Sequence, residues 1–253
     1  MRKFEDYGST EHVEKEEPFE QKYTLTNDYI RLGDHILFRI RALKSFSIVR
    51  VGDLGGYIES IENLDQHGTC WVYDNAKVWG NARVSGHASI SGQASIYEDA
   101  KVYGHARVSG AAIVYGKARV FGISKVHGYA EVYENTSVYG HANIADTAKI
   151  FGYARVFDDA KVSDRAIIRD NAAVFGRTII SEDALVCGCA IVHNKAHILG
   201  NSMVKDYAEV CDSAIVLDNA ILKDRVKVCG NSRIMYDSIL GDDNRIVDTV
   251  IAE

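Results

Sequence analysis

A six-residue period runs without interruption from Val72 to Ile246 and constrains the fold more than any other feature of the sequence. Every sixth position holds Val, Ile or Leu, as in the units VYGHAR, VSGAAI and VYGKAR, so the segment contains thirty units. We call this aliphatic residue the leader of its unit. A small residue, usually Ala, stands four positions after each leader, as Ala76 does after Val72. A repeat of this kind determines the architecture before any single residue is considered.

Six residues are too few for an amphipathic helix and its return, so each unit predicts one short strand and one tight turn. The small residue of one unit and the leader of the next are two positions apart, and strand alternation therefore points both toward the interior. Gly, Asp and Asn between them favour the turn, because they tolerate left-handed backbone conformations. Equal strands joined by equal turns close into a triangular prism with eighteen residues per coil, which predicts about ten coils.

The repeat resembles that of the hexapeptide-repeat transferases, in which an aliphatic residue is followed by turn residues and a small residue. With GDLGGYIE ahead of WVYDNAKVWGNARV, it is most similar to the YdcK-type acyltransferases of that family. The resemblance implies an all-β fold, a single-stranded left-handed parallel β-helix, against the usual right-handed crossover. It also implies acyl transfer from acyl-CoA to a small-molecule acceptor. Acetyl-CoA or CoA would then be a co-substrate rather than a permanently bound cofactor. The protein would be a homo-oligomer, either a dimer or a trimer.

Three segments precede the repeat domain, which we assign to residues 72–253. Residues 1–20 carry seven acidic side chains and few apolar ones, which predicts a mobile acidic tail. In residues 21–50, the β-type runs YTLT, YIRL and HILFRIRAL are separated by the turn dipeptides Asn27-Asp28 and Gly33-Asp34, so we expect a small antiparallel meander.

Residues 51–71 form the transition into the repeat. Ile58, Leu64 and Cys70 are themselves six residues apart, but they are two positions out of phase with Val72. This predicts a degenerate first coil with a two-residue offset that acts as an end cap. Solenoids need such caps, because a bare terminal coil exposes its core and an unpaired strand edge.

Composition narrows the class of protein. The net charge of −6 argues against a nucleic-acid binder, whose affinity would come from Lys and Arg neutralising phosphates. No apolar stretch suggests a signal peptide or a membrane span. The five cysteines show no C-x-x-C spacing, and no nucleotide-binding glycine motif follows a strand. We therefore expect a cytoplasmic protein with reduced thiols.

Sorting the outward residues by every eighteenth position predicts two aromatic ladders over the first half of the repeat. Such ladders stabilise strands, form a subunit or domain interface, or provide a ligand or glycan platform, and the sequence leaves these three interpretations open. Basic residues, among them Arg119 and Arg155, flank the second ladder. The first ladder is Trp79, Tyr97, Tyr115, Tyr133 and Phe151, and the second is Tyr103, Phe121, Tyr139, Phe157 and Phe175.

The second half of the repeat is aliphatic on two adjoining faces. An apolar surface of this extent favours a homo-oligomeric contact, or cover by residues 20–60. Its residues are Ile167, Leu185, Met203, Ile221 and Ile239 before the leaders of one face, and Ile179, Ile215, Leu199, Leu217 and Met235 on the neighbouring one.

Histidines are the candidate catalytic residues, because acyltransferases of the resembling family use a His as general base on the acceptor. His87, His105 and His141 occupy the same corner of the prism, and His87 and His105 lie on adjacent coils. We take His87 and His105 as the candidates for the base; in the alternative interpretation they are polar turn residues without a catalytic role. No carboxylate is fixed beside them by the sequence.

A metal site is not expected. His193, Cys211 and Cys229 form one column along the prism, but three ligands strung along a flat strand ladder do not converge tetrahedrally. The similar hexapeptide carbonic anhydrases use two His with four intervening residues, whereas His193 and His197 have three.

Two functions from different classes therefore remain. The first is an acyl-CoA-dependent acyltransferase, and the alternative is a non-catalytic binding or assembly scaffold that uses the aromatic and aliphatic faces. Against catalysis stands the uninterrupted period, because enzymes of the family insert a loop that covers the acceptor. An active site would need the meander, the acidic tail or a neighbouring subunit.

Overall fold

The computed structural model of the protein describes residues 20–252, so the acidic tail predicted for residues 1–20 lies outside it except for Glu20. These residues form a parallel β-helix of about eleven turns that begins with a small antiparallel unit. The predicted fold class is confirmed, with one more turn than the thirty units predict, because short strands extend the prism at both ends. Within the described range, no helix is long and apolar enough to cross a membrane.

Three parallel sheets form the three faces of the prism. The first sheet contains Leu54–Ile58, Lys77–Val78, Ser95–Ile96, Ile113–Val114, Glu131–Val132, Lys149–Ile150, Ile167–Ile168, Leu185–Val186, Met203–Val204, Ile221–Leu222 and Ile239–Leu240. The second contains Trp71–Val72, Ser89–Ile90, Arg107–Val108, Lys125–Val126, Asn143–Ile144, Lys161–Val162, Ile179–Ile180, His197–Ile198, Ile215–Val216, Arg233–Met235 and Val250–Ala252. The third contains Arg83–Val84, Lys101–Val102, Arg119–Val120, Ser137–Val138, Arg155–Val156, Ala173–Val174, Ile191–Val192, Glu209–Val210, Lys227–Cys229 and Arg245–Val247.

The leaders and the small residues fill the interior as the alternation predicts. Val78, Ala82 and Val84, for example, are at most 1% exposed, and the core cluster continues through Ile234. Strands of successive coils pair in register at a separation of eighteen residues, as Val108 does with Val126. Backbone hydrogen bonds therefore join each coil to the coils above and below it. Each buried side chain packs against the equivalent side chains eighteen residues before and after it.

The second position after the leader determines the corner of the prism. Its backbone lies in the left-handed region, with φ of 64° at Gly80 and 54° at Asp74. Gly adopts this conformation without steric cost, and Asp compensates with a hydrogen bond, since the Asp74 carboxylate accepts from the Gly92 amide one coil later at 2.9 Å. This pairing explains why glycines and acids share one position along the repeat.

The antiparallel unit consists of β1 (Tyr23–Leu32), β2 (His35–Ala42) and β3 (Leu54–Ile58), which pair in that order. Its predicted meander is present, but Asn27-Asp28 is not a turn. The dipeptide instead lies inside β1, where the register with β2 shifts between Leu25 and Tyr29. The strand continues past it because β2 supplies hydrogen-bonding partners on both sides of the irregularity.

The junction with the repeat carries the predicted two-residue offset. Ile58 pairs with Val78 and Leu64 with Val84, at separations of twenty rather than eighteen residues. A short 3-10 helix, Ile61–Asn63, lies between them. Cys70 is not a leader of this coil, because Trp71–Val72 already pairs in the regular register with the next coil.

Buried polar contacts hold this cap on the prism. Lys22 is fully buried, and its Nζ donates to the Cys70 carbonyl at 3.0 Å and to the His67 carbonyl at 3.2 Å. Burial lowers the pKa of this ammonium group below its usual range. At the opposite edge, burial alone would raise the pKa of the Glu59 carboxyl, but hydrogen bonds from His35 and the Gly80 amide outweigh it and lower the pKa.

Candidate functional site

A cleft of about 830 Å³ lies on the second sheet, below the loop that joins β2 to β3. This loop, residues 43–53, is held by an antiparallel bridge between Phe46 and Val49, and Phe46 packs edge-on against Trp71 at 5.4 Å between ring centroids. Its tip overhangs the first coils. The residues lining the cleft include Ser47, Ile48, Thr69, Tyr73, Asp74, His87, Ser89, Ser91, His105, Arg107 and Ser109.

Both candidate histidines line this cleft. The His87 and His105 rings are stacked, with centroids 4.6 Å apart, because they occupy one corner on successive coils. Thr69 Oγ1 lies 2.8 Å from His87 Nδ1, so the cap residue orients this imidazole. Both side chains are exposed at the corner. His87 is therefore the candidate with a positioning partner.

His141 does not join the pair. Ile123 takes the corner position on the intervening coil, and it is 52% exposed. His141 instead lies 3.4 Å from Asp159 in a separate shallow depression. The structure thus divides the predicted histidine column into a stacked pair under the cap and a single distant ring.

Cations extend from the cleft along the second sheet. Arg107 pairs in register with Lys125, Lys125 with Asn143, and Asn143 with Lys161. Three strand spacings of ~4.8 Å separate Arg107 from Lys161, a length of ~14 Å. On the side of this cation stripe that faces away from the histidine corner, the position after the leader holds small residues such as Ser91 and Ser109, so this part of the face is low.

Both predicted aromatic ladders are present as continuous stacks. Successive centroids in the first ladder, from Trp79 to Phe151, are 4.5–5.0 Å apart, and in the second, from Tyr103 to Phe175, they are 4.7–4.9 Å apart. The second stack also continues onto His193. Burial and the neighbouring tyrosines raise the pKa of Tyr115 to about 12. Because each ring covers the next, a ligand within the ladder would meet ring edges rather than open faces.

We predict that the stacks contribute stability, and that Tyr133→Ala tests this. The substitution removes the ring that stacks on Tyr115 and Phe151, at centroid distances of 4.8 Å and 4.9 Å. The free energy of unfolding should therefore fall by about 1–3 kcal/mol. Urea unfolding followed by circular dichroism measures the change. Tyr129→Ala is the control, because Tyr129 is 70% exposed. Equal effects of the two substitutions would contradict a stabilising role for the stack.

The aliphatic residues of the second half also lie together. Ile167, Leu185, Met203, Ile221 and Ile239 occupy successive strands of the first sheet. Leu199 and Leu217 directly follow the leaders Ile198 and Val216 of the second sheet, on the adjoining face. The prediction that residues 20–60 cover this surface is wrong, because residues 20–60 extend the first sheet at its opposite end. A contact with a second copy stays a prediction.

One expectation from the cysteine pattern is also wrong. Cys211 and Cys229, on successive coils, form a disulfide with a Cα–Cα distance of 4.7 Å. The other three thiols, Cys70, Cys187 and Cys189, are free of disulfides. The ladder spacing itself brings residues eighteen apart within disulfide distance, and this signal is already present in the sequence.

Sequence reasoning missed the residues that complete the cleft: Thr69, Asp74, Arg107 and the loop residues Ser47 and Ile48. The eighteen-residue register places Arg107 beside the histidine corner, so this residue could have been found. The loop could not, because nothing in the period tells which face a non-repeating segment covers.

A scan against protein-family models and a search of the curated proteins find no match to the chain. The parallel β-helix with coils of about eighteen residues is consistent with the hexapeptide-repeat fold. Fold alone does not determine function, so the activity has to be argued from the cleft.

Proposed function

We propose that the protein is an acyl-CoA-dependent acyltransferase of the hexapeptide-repeat type, close to its YdcK-type members, with its active site in the cleft under the 43–53 loop. The observation that carries the proposal is the position of this loop. Its residues Ser47 and Ile48 line the same cleft as the stacked His87–His105 pair, so it would take the place of the covering loop that the uninterrupted repeat lacks.

His87 suits the role of general base. When its Nδ1–H donates to Thr69 Oγ1, Nε2 carries the lone pair and accepts a proton from the acceptor's hydroxyl or amine. The deprotonating oxygen or nitrogen then attacks the thioester carbonyl carbon, the carbon–sulfur bond breaks, and the CoA thiolate takes the proton from the imidazolium. His105, stacked on the base, holds its ring plane.

The cation stripe suits the donor. Acyl-CoA carries its phosphates at one end and its thioester at the other, joined by a thin flexible arm. Arg107 and Lys125 would bind phosphate oxygens, and the small Ser89, which pairs with Arg107 one coil earlier, would admit the arm toward His87. Charge-assisted hydrogen bonds to phosphate are the strongest polar contacts available at such an exposed face.

Calorimetry with CoA and with pantetheine, which lacks the phosphates, tests this assignment. We expect CoA to bind, and Arg107→Ala combined with Lys125→Ala to weaken CoA binding by about 10–100-fold, because each of the two exposed contacts contributes about 0.7–1.4 kcal/mol. Pantetheine affinity should not change. Arg119→Ala with Arg155→Ala, two cations of the third sheet, is the matched control. Absence of CoA binding at millimolar concentration would reject the acyltransferase.

A non-catalytic scaffold is the second candidate, and the aromatic edges and the aliphatic surface favour it. Two ladders and an extended apolar face provide more contact surface than a monomeric enzyme needs. In this alternative the protein is a homo-oligomer, dimer or trimer, assembled through the aliphatic residues. A cytoplasmic location suits both functions and stays a prediction.

A further inference from the structure

Three potential metal ligands lie together at the end of the second aromatic ladder, away from the cleft, and a fourth is bonded to one of them. Glu209 and Cys211 flank the buried leader Val210 on one coil. His193 lies one coil earlier and Cys229 one coil later, in the same column as Cys211. His193 Nε2, a Glu209 carboxylate oxygen and Cys211 Sγ lie within 4.8 Å of one another, and Cys229 Sγ is bonded to Cys211.

His193, Cys211 and Cys229 alone form a flat column, which does not suit a metal ion. Glu209 changes that geometry, because it enters from the neighbouring column and its Oε1 lies 3.0 Å from His193 Nε2. Two ligands then come from the middle coil, one from the coil before it and one from the coil after it. The ligands therefore come from three coils and two neighbouring columns rather than from a single line, as a tetrahedral ion requires.

We propose that the reduced protein binds one Zn²⁺ ion through His193, Glu209, Cys211 and Cys229. Imidazole, carboxylate and thiolate groups are the ligands that zinc prefers in proteins. The Phe175 ring, stacked 5.1 Å from His193, fixes the imidazole plane. The two cysteines are only 4% exposed, so the site is shielded on the sulfur side.

The disulfide and the zinc-bound state exclude each other. A dithiol or phosphine reductant supplies two electrons and, with two protons, the S–S bond becomes two thiols. Zn²⁺ then replaces the two thiol protons, which go to solvent, because only the thiolate is a good ligand. In a reducing compartment, where protein disulfides are rare, the zinc-bound state is the one expected.

Neighbouring charges fit this exchange. Two thiolates and one carboxylate outweigh the Zn²⁺ charge by one negative unit. Lys227, whose Nζ lies 2.7 Å from Glu209 Oε1, provides the compensating positive charge. Its side chain is 41% exposed, so the ammonium group can leave the carboxylate oxygen to the metal and remain nearby.

Zinc titration of the full chain, reduced with a phosphine under nitrogen and competed with a chromogenic chelator, tests the proposal. We expect one zinc per chain for the reduced wild type. Cys211→Ser and Glu209→Gln should each weaken zinc by at least about tenfold, since even residues behind the ligands typically matter that much. The oxidised wild type should lose zinc to a similar extent.

Cys187→Ser is the matched control, because Cys187 is also buried but follows a strand of the first sheet, on another face of the prism. Circular dichroism of each variant confirms that the β-helix is intact. Should Cys211→Ser fail to fold, Glu209→Gln carries the test alone. Failure of the reduced wild type to take up stoichiometric zinc, or an equal loss with Cys187→Ser, would overturn the proposal. None of these results depends on acyltransferase activity.

Discussion

His87→Ala is expected to lower acyl transfer from acetyl-CoA by about 10²–10⁴-fold, the usual contribution of a general base. The affinity for acetyl-CoA should stay close to that of the wild type, because the phosphates bind at Arg107 and Lys125. His105→Ala should have a smaller effect on turnover, since its ring supports His87 by stacking at 4.6 Å. Turnover is measured as release of free CoA thiol with a panel of amine and alcohol acceptors.

His141→Ala is the matched control for this experiment. It has the same side chain at the same corner of the prism, but Ile123 separates it from the pair, and it lies outside the cleft. Turnover of this variant should equal that of the wild type. Loss of activity with His141→Ala, or full activity with His87→Ala, would place the base elsewhere. Thr69→Val tests the orientation of the His87 imidazole without changing the fold, because it removes only the contact to His87 Nδ1.

Gly56→Ala is expected to destabilise the protein by about 3 kcal/mol, the upper part of the usual range for overpacking a buried site. A Cβ at this position would lie 2.4 Å from the Ala76 carbonyl oxygen and 2.7 Å from Val72 Cγ1. The backbone oxygen cannot rotate away, so β3 must separate from the first coil. The loop over the cleft would move with it, because it ends where β3 begins.

Gly33→Ala is the control for Gly56→Ala. Its φ of 60° makes a side chain unfavourable, but a Cβ there has no neighbour within 4 Å, so the cost should be limited to about 1–2 kcal/mol of backbone strain. Urea unfolding measures both variants. Equal stabilities of the two proteins would show that close packing between β3 and the first coil does not hold the cap.

The period predicted most of the prism because it places every residue beside its own copy eighteen positions away. That rule correctly predicts the buried leaders, both aromatic ladders and the contiguous aliphatic strands. It also correctly separates Ile58 and Leu64 from the register of Val72, since a change of phase in the sequence is a change of offset in the ladder. These features depend only on strand alternation and in-register pairing.

The remaining features depend on segments that do not repeat. Asn27-Asp28 has the composition of a turn, but pairing with β2 keeps it inside a strand, because tertiary hydrogen bonds outweigh local turn preference. Cys70 keeps the six-residue spacing, yet two extra residues before Val72 remove it from the leader positions. In both places a local pattern competes with a nonlocal contact, and the contact prevails.

The sequence by itself therefore determined the coil, its three faces and the residues that share each face, because a strict period leaves one closed arrangement of strands and turns. Only the tertiary structure decided which face the 43–53 loop covers, and thereby that His87 and His105 line a cleft while His141 does not. It also brought Glu209 beside His193 and the cysteine pair. Loop placement and contacts between columns depend on packing in three dimensions, which no single repeat unit encodes.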